Sequence, residues 1–220
     1  MSRSFRFIHS FGIEFIILKT ELLENQIIVR NVEDSERLFT QGYYGKPIGN
    51  PKPKLSKDKK NNIVSNIETP LLLDLIEGYY LMVNSKIKIY KDKKIVSEDK
   101  MLDICKEQHN KFEMKFRVYK DLRDKGYIVT PGIKFGSDFA VYQKGPGIDH
   151  APYIILIYES QENLSPTDLV LIGRLAHGVQ KKFIFAIPSG KDKINYLSME
   201  WSMIGKNKKE SKDGVSEENY

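Results

Sequence analysis

Apolar positions along this chain change their period several times, and each change marks an element. Between positions 15 and 30 Ile, Leu and Val crowd together around one polar break at 24–26, which predicts one or two short strands. Positions 32–41 read as a short helix with Asn31 as its cap. Gly45, Pro47, Gly49, Pro51 and Pro53, with five lysines between 52 and 60, predict a loop over 42–62. A helix is predicted to open at Thr69-Pro70, carrying Leu71, Leu75, Ile76, Tyr79 and Tyr80. A strand-turn-strand follows around Ile87, Ile89, Ile95 and Val96, and Ser97 caps a third helix.

The second half repeats this alternation more strongly. Phe112, Phe116, Tyr119 and Leu122 recur at helical spacing, and Gly126 stops that helix at about Lys125. Strands are predicted over 127–129, 138–143, 152–158, 182–187 and 194–201. One more helix is predicted over 166–181, capped by Ser165, with a wide apolar face made by Leu169, Ile172, Leu175, Ala176 and Val179. The expected fold class is α+β or mixed: a small N-terminal α+β domain over 1–110, then a nuclease-like α/β domain over 111–204. The latter has a central mixed sheet packed by helices. A polar tail over 205–220 carries too little apolar surface to join a core.

Composition narrows the function classes. The apolar share of 40% suffices for a packed core, and the net charge of +6 suits a polyanionic partner without requiring one. The charge run over 52–60 is, by itself, more often a solvated surface than a binding site. Cys105 stands alone, so an intrachain disulfide and a cysteine zinc site are both excluded, and a cytoplasmic setting is expected. His9 and Glu14 interrupt the apolar N-terminal stretch, which argues against a signal peptide. No segment approaches the ~20 apolar residues of a membrane helix. There is no phosphate-cradling loop, His-Glu metal motif or nucleophile elbow. The four histidines, His9, His109, His150 and His177, fall at no metal-ligand spacing.

Two constellations remain. His150 ends a Gly-Pro-Gly-Ile-Asp loop between two predicted strands, where side chains are held firmly yet stay accessible. Tyr142 sits at the exit of the preceding strand; Asp138 and Ala140 project to its side, Phe139 and Val141 to the other. A loop histidine alone is more often a surface residue than a catalyst. The second constellation is a basic face on the late helix, where Arg174, His177 and Lys181 fall on one side at ~100° per residue; a solvated face is the plainer reading.

Taken together, Tyr119-Lys-Asp-Leu-Arg-Asp-Lys-Gly-Tyr, Lys134-Phe-Gly-Ser-Asp-Phe-Ala-Val-Tyr142, Gly145-Pro-Gly-Ile-Asp-His150-Ala-Pro and Arg174-Leu-Ala-His-Gly-Val-Gln-Lys181-Lys resemble the catalytic domain of tRNA-intron endonucleases. The N-terminal half is similar in element order only. The Gly-Pro-Gly-Ile-Asp-His-Ala-Pro run is most similar to catalytic chains of the crenarchaeal, heterotetrameric kind. The resemblance implies cleavage of precursor tRNA at bulge-helix-bulge intron boundaries, with no cofactor and no metal. Tyr142, His150 and Lys181 carry over as general base, general acid and charge stabiliser, and Arg174 as one side of a sandwich around a bulged base. Trp201, the only tryptophan, is the candidate for the other side, with packing against the sheet or a partner subunit as the equal alternative.

RNA chemistry suits that set, because the 2′-hydroxyl supplies the nucleophile and leaves the enzyme proton transfer and charge balance. Free tyrosine titrates at about 10, so Tyr142 needs a neighbouring cation to act as base, and Lys181 is the candidate. Relatives that assemble alone carry an acidic loop where this chain has Pro188-Ser-Gly-Lys-Asp-Lys-Ile. The implied assembly is therefore an (αβ)2 heterotetramer with a structural subunit. A non-catalytic RNA-binding structural subunit is the alternative. A metal-dependent nuclease would have only Asp138 and Asp149 to offer.

Overall fold

A computed structural model describes residues 17–49, 55–57, 63–65, 67–146, 148, 150–163, 165–178, 181–190 and 193–199. The polar tail from 205 and Trp201 lie outside the described residues.

The first apolar run folds as a hairpin, β1 (Leu18–Leu23) and β2 (Gln26–Val29), turning where Glu24 takes a positive φ of 49°. The Asn31 side chain accepts from the Asp34 backbone N–H and starts α1 (Val32–Gly42). Its four leading N–H groups would otherwise lack partners.

The segment read as a loop carries short strands instead, β3 (Lys46–Pro47) and β4 (Leu55–Lys57), and β4 pairs antiparallel with β5 (Ile63–Ser65) just beyond it. The helix expected at Thr69-Pro70 begins later. Leu71–Leu73 forms strand β6, paired to β2 through Val29 opposite Leu71. Asp74 then caps α2 (Leu75–Val83) in a reciprocal box with Glu77. Sheet pairing takes the three leucines, and the Asp-x-x-Glu signature opens the helix. The half closes with β7 (Ile87–Lys91), β8 (Lys94–Ile95) and α3 (Glu98–Gln108), which Ser97 caps as expected. Its sheet runs β3-β6-β2-β1-β7-β8, with β1 and β7 parallel and all other neighbours antiparallel.

After α4 (Phe112–Asp124) come β9 (Ile128–Pro131), a 3-10 turn at Ile133–Phe135, β10 (Phe139–Tyr142), β11 (Tyr153–Ile157), α5 (Pro166–Gly178), β12 (Lys182–Ser189) and β13 (Lys193–Met199). They build a second sheet in the order β13-β12-β11-β10-β9, with β11 and β12 parallel across the α5 crossover. Both halves are therefore mixed sheets packed by helices, as the alternation of periods implied.

One buried cluster runs through both halves. It joins Ile27, Leu71 and Leu81 to Val118 and Tyr119 on α4, and these to Phe139, Val141 and Ile155 on one face of the second sheet. The opposite face buries Ile154, Phe183 and Phe185 with Ile172 of α5. Arg123 of α4 is locked between the halves. Its Nη1 donates to the Gly42 carbonyl at 2.7 Å, its Nε to Tyr119 Oη at 2.9 Å and its Nη2 to the Val129 carbonyl at 3.3 Å. The guanidinium also lies 4.3 Å from the Tyr44 ring centroid. Buried Glu77 stands 4.0 Å from Nη2. Burial pushes its carboxyl up to about 7, outweighing the attraction of Arg123.

Candidate active site

Register in the second sheet decides which side chains meet. Val141 of β10 is opposite Tyr153 of β11, and Tyr153 is opposite Lys182 of β12. One step outward, Tyr142, Pro152 and Lys181 therefore fall in a row at the same end of three neighbouring strands. The Lys182 N–H bonded to the Pro152 carbonyl at 2.9 Å holds that row. Cross-strand partners project to one face, and alternate residues to the other. Val141 belongs to the α4 side, so Tyr142 and Lys181 share the α5 side with Phe183 and Phe185. At ~4.8 Å between strands, their backbones are about 10 Å apart, a gap that two long side chains and a phosphate can fill.

Lys181 is half-buried. Its Nζ donates to the Ala151 carbonyl at 2.6 Å and sits 5.1 Å from the Phe135 ring centroid. An ammonium has three donors, so this anchor leaves two for a ligand oxygen. Ala151 directly follows His150, which is exposed in the loop between β10 and β11. Lys181 thus reaches the backbone beside the histidine, a contact spanning 30 residues that the sequence does not announce. Phe135 was also missed; its signal was the Lys-Phe-Gly run that sets the 3-10 turn.

Two expectations change. Helix α5 ends at Gly178, so Lys181 does not share a helical face with Arg174; it stands just before β12, where the parallel pairing to β11 holds it. Glycine is among the weakest helix formers. Arg174 is exposed on α5, the helix that covers the face carrying Tyr142 and Lys181. Asp138 is used by the fold: its Oδ2 accepts from the Ile157 N–H at 2.9 Å, and its Oδ1 pairs with Lys115 at 3.0 Å. No group of three acidic, histidine or cysteine side chains that could hold a metal occurs among the described residues. Nor is any helix among them long and apolar enough to cross a membrane.

Comparison with known proteins agrees with this layout. Residues 18–102 match the family model for the tRNA intron endonuclease N-terminal domain, and residues 112–196 that for the tRNA intron endonuclease catalytic C-terminal domain. A tRNA-splicing endonuclease of Hyperthermus butylicus is 39% identical over 188 residues, covering 84% of this chain and 99% of that relative. The tRNA-splicing endonuclease of Sulfurisphaera tokodaii is 37% identical, covering 82% and 97%, and that of Saccharolobus islandicus 36%, covering 84% and 98%. With both halves matched in chain order and relatives aligned almost end to end, the chain belongs to the archaeal tRNA-splicing endonuclease family, an N-terminal domain preceding the catalytic one.

Proposed function

We propose that the chain is the catalytic subunit of its enzyme, cutting precursor tRNA at bulge-helix-bulge intron boundaries in the cytoplasm without a metal. The observation that carries this reading is the row at one end of the second sheet. Tyr142 and Lys181 project to one face, and His150 stands in the loop that Lys181 grips at Ala151. In the reaction, Tyr142 acts as phenolate, favoured by the Lys181 ammonium; the 2′-oxygen attacks the adjacent phosphorus and its proton passes to that phenolate. The bond from phosphorus to the 5′-oxygen breaks with its electron pair, and that oxygen takes a proton from His150. Lys181 donates to the phosphoryl oxygens as negative charge gathers on them. A 2′,3′-cyclic phosphate and a 5′-hydroxyl result. Arg174 and Trp201 hold a bulged base between them, since stacking tolerates any base and contributes ~1–3 kcal/mol.

A structural subunit would have no need of all three residues, which disfavours that alternative. The stretch around Asp192 carries lysines on both sides, so a partner supplies the acidic loop and the working assembly is (αβ)2. The test is cleavage of labelled precursor tRNA in excess EDTA, with and without a candidate partner, by wild type and His150→Ala. Metal-free cleavage at both boundaries, leaving cyclic phosphate and lost in the variant, is expected. Unchanged cleavage by His150→Ala refutes the acid assignment, and an active homotetramer in sedimentation refutes the partner.

A further inference from the structure

We propose that Tyr43, in the N-terminal domain, is a positioning residue for the catalytic loop: its ring is the surface against which the Gly145 turn is set, and through that turn it fixes His150. This rests on the reading of His150 as general acid.

The ring is itself firmly placed. Tyr43 follows α1 in a left-handed conformation, φ 53°, with its N–H bonded to the Phe39 carbonyl at 2.7 Å. It packs edge-on against Phe39, centroids 5.5 Å apart, and is only 4% exposed. The residues on either side are clamped by Arg123, through the Gly42 carbonyl and the Tyr44 ring. Gly145 meets this platform with no room to spare. A methyl group there would fall 2.4 Å from Tyr43 Cζ and 2.5 Å from Cε2, and the backbone φ of +129° is one that side-chain-bearing residues rarely adopt. The Ile148 N–H closes the turn on the Gly145 carbonyl at 3.1 Å, and His150 comes two residues later. Beyond it, the Ala151 carbonyl is held by Lys181. His150 is exposed, so its place is set by the backbone on both sides: by Lys181 after it and, through the turn, by Tyr43 before it.

A merely structural tyrosine would slow every substrate alike. A residue that aims the general acid would slow only those whose leaving group needs a proton. The experiment compares two precursor tRNAs in single-turnover cleavage by the full assembled enzyme, one natural and one with sulfur replacing the 5′-bridging oxygen at the splice site. Thiolate departs without protonation, so His150→Ala should cleave the sulfur substrate far better than the natural one. Tyr43→Ala should lose about 10- to 100-fold on the natural substrate, the scale of an ångström-sized misplacement, at unchanged KM, and recover most of it on the sulfur substrate. Tyr43→Phe, which keeps the flat ring, should stay near wild type on both. The ratio of the two rates does not depend on the folded fraction of a preparation, so partial misfolding cannot imitate the result. Equal loss on both substrates, or no loss, overturns the role of Tyr43. If His150→Ala gains nothing from sulfur, the acid assignment falls and takes this proposal with it, a separate and recognisable failure.

Discussion

Arg123→Met tests how the two halves are joined. The side chain makes three hydrogen bonds, to the Gly42 and Val129 carbonyls and Tyr119 Oη, and lies beside buried Glu77. Methionine fills similar volume but leaves two carbonyls short of a donor, at ~1–3 kcal/mol for each buried acceptor. It also strips Glu77 of its only nearby cation among the described residues. Breaking a buried pair from one side costs about 3–5 kcal/mol. At ~2–4 °C per kcal/mol for a chain of this size, the midpoint should fall by about 6–20 °C. The loss should also depend on pH. Glu77 titrates near 7 in the folded chain against its ordinary 4.5, so the folded state binds the extra proton and stability falls as pH rises through that window, by about 3 kcal/mol. Without Arg123 the folded value climbs further and the fall continues above pH 7. Urea unfolding at pH 5 and pH 8 would measure both effects, with the larger penalty at pH 8. A loss below about 1 kcal/mol, or equal losses at the two pH values, would refute the reasoning.

Four further outcomes are expected. Lys181→Ala should lower the single-turnover rate by ~10²–10³, the value of one preorganised donor. Lys181→Arg should restore little, since a planar fork cannot sit on the Ala151 carbonyl as an ammonium does; wild-type rates in Lys181→Arg would contradict the assignment. Arg174→Ala should weaken binding of precursor tRNA about tenfold while leaving the saturated rate nearly intact, read from the concentration dependence of cleavage. Thr69 Oγ1 is buried with no hydrogen-bond partner among the described residues, so Thr69→Val should be neutral or stabilising by up to ~1 kcal/mol in thermal unfolding.

Elements with strong local signals were legible in the sequence. Asn31 and Ser97 cap their helices as their chemistry requires, and the heavy apolar period over 112–124 gives α4. Elements that depend on distant partners were not. Leu71–Leu73 is too short for any period to show, and only its pairing with β2 on one side and β3 on the other makes it a strand. The same holds for β3, whose partner is β6. At the site, Tyr142 at a strand exit and His150 in a loop could be read from alternation and turn residues. Lys181 could be named by resemblance but not placed, because its position follows from the parallel β11–β12 register and not from the helix before it. Tyr43 left no trace near the motifs, since its contact with Gly145 joins the two domains.

The parallel partnership of β1 and β7 also bears on the order in which a new chain acquires shape. Leu18 finds Ile87, so the first sheet cannot close until the ribosome has delivered the segment through Lys91. Closing so long a stretch is slow compared with forming local helices. The clamp on Gly42 arrives later still, with Arg123, 81 residues downstream. This order would let Gly145 emerge onto a surface already built, so that the turn has only to settle onto it. Stalled nascent chains long enough for Arg123 to have left the exit tunnel, with the strands of the second sheet still inside it, should thus show protease-resistant N-terminal halves. Chains that stay fully sensitive until the second sheet is complete would mean that the halves fold together.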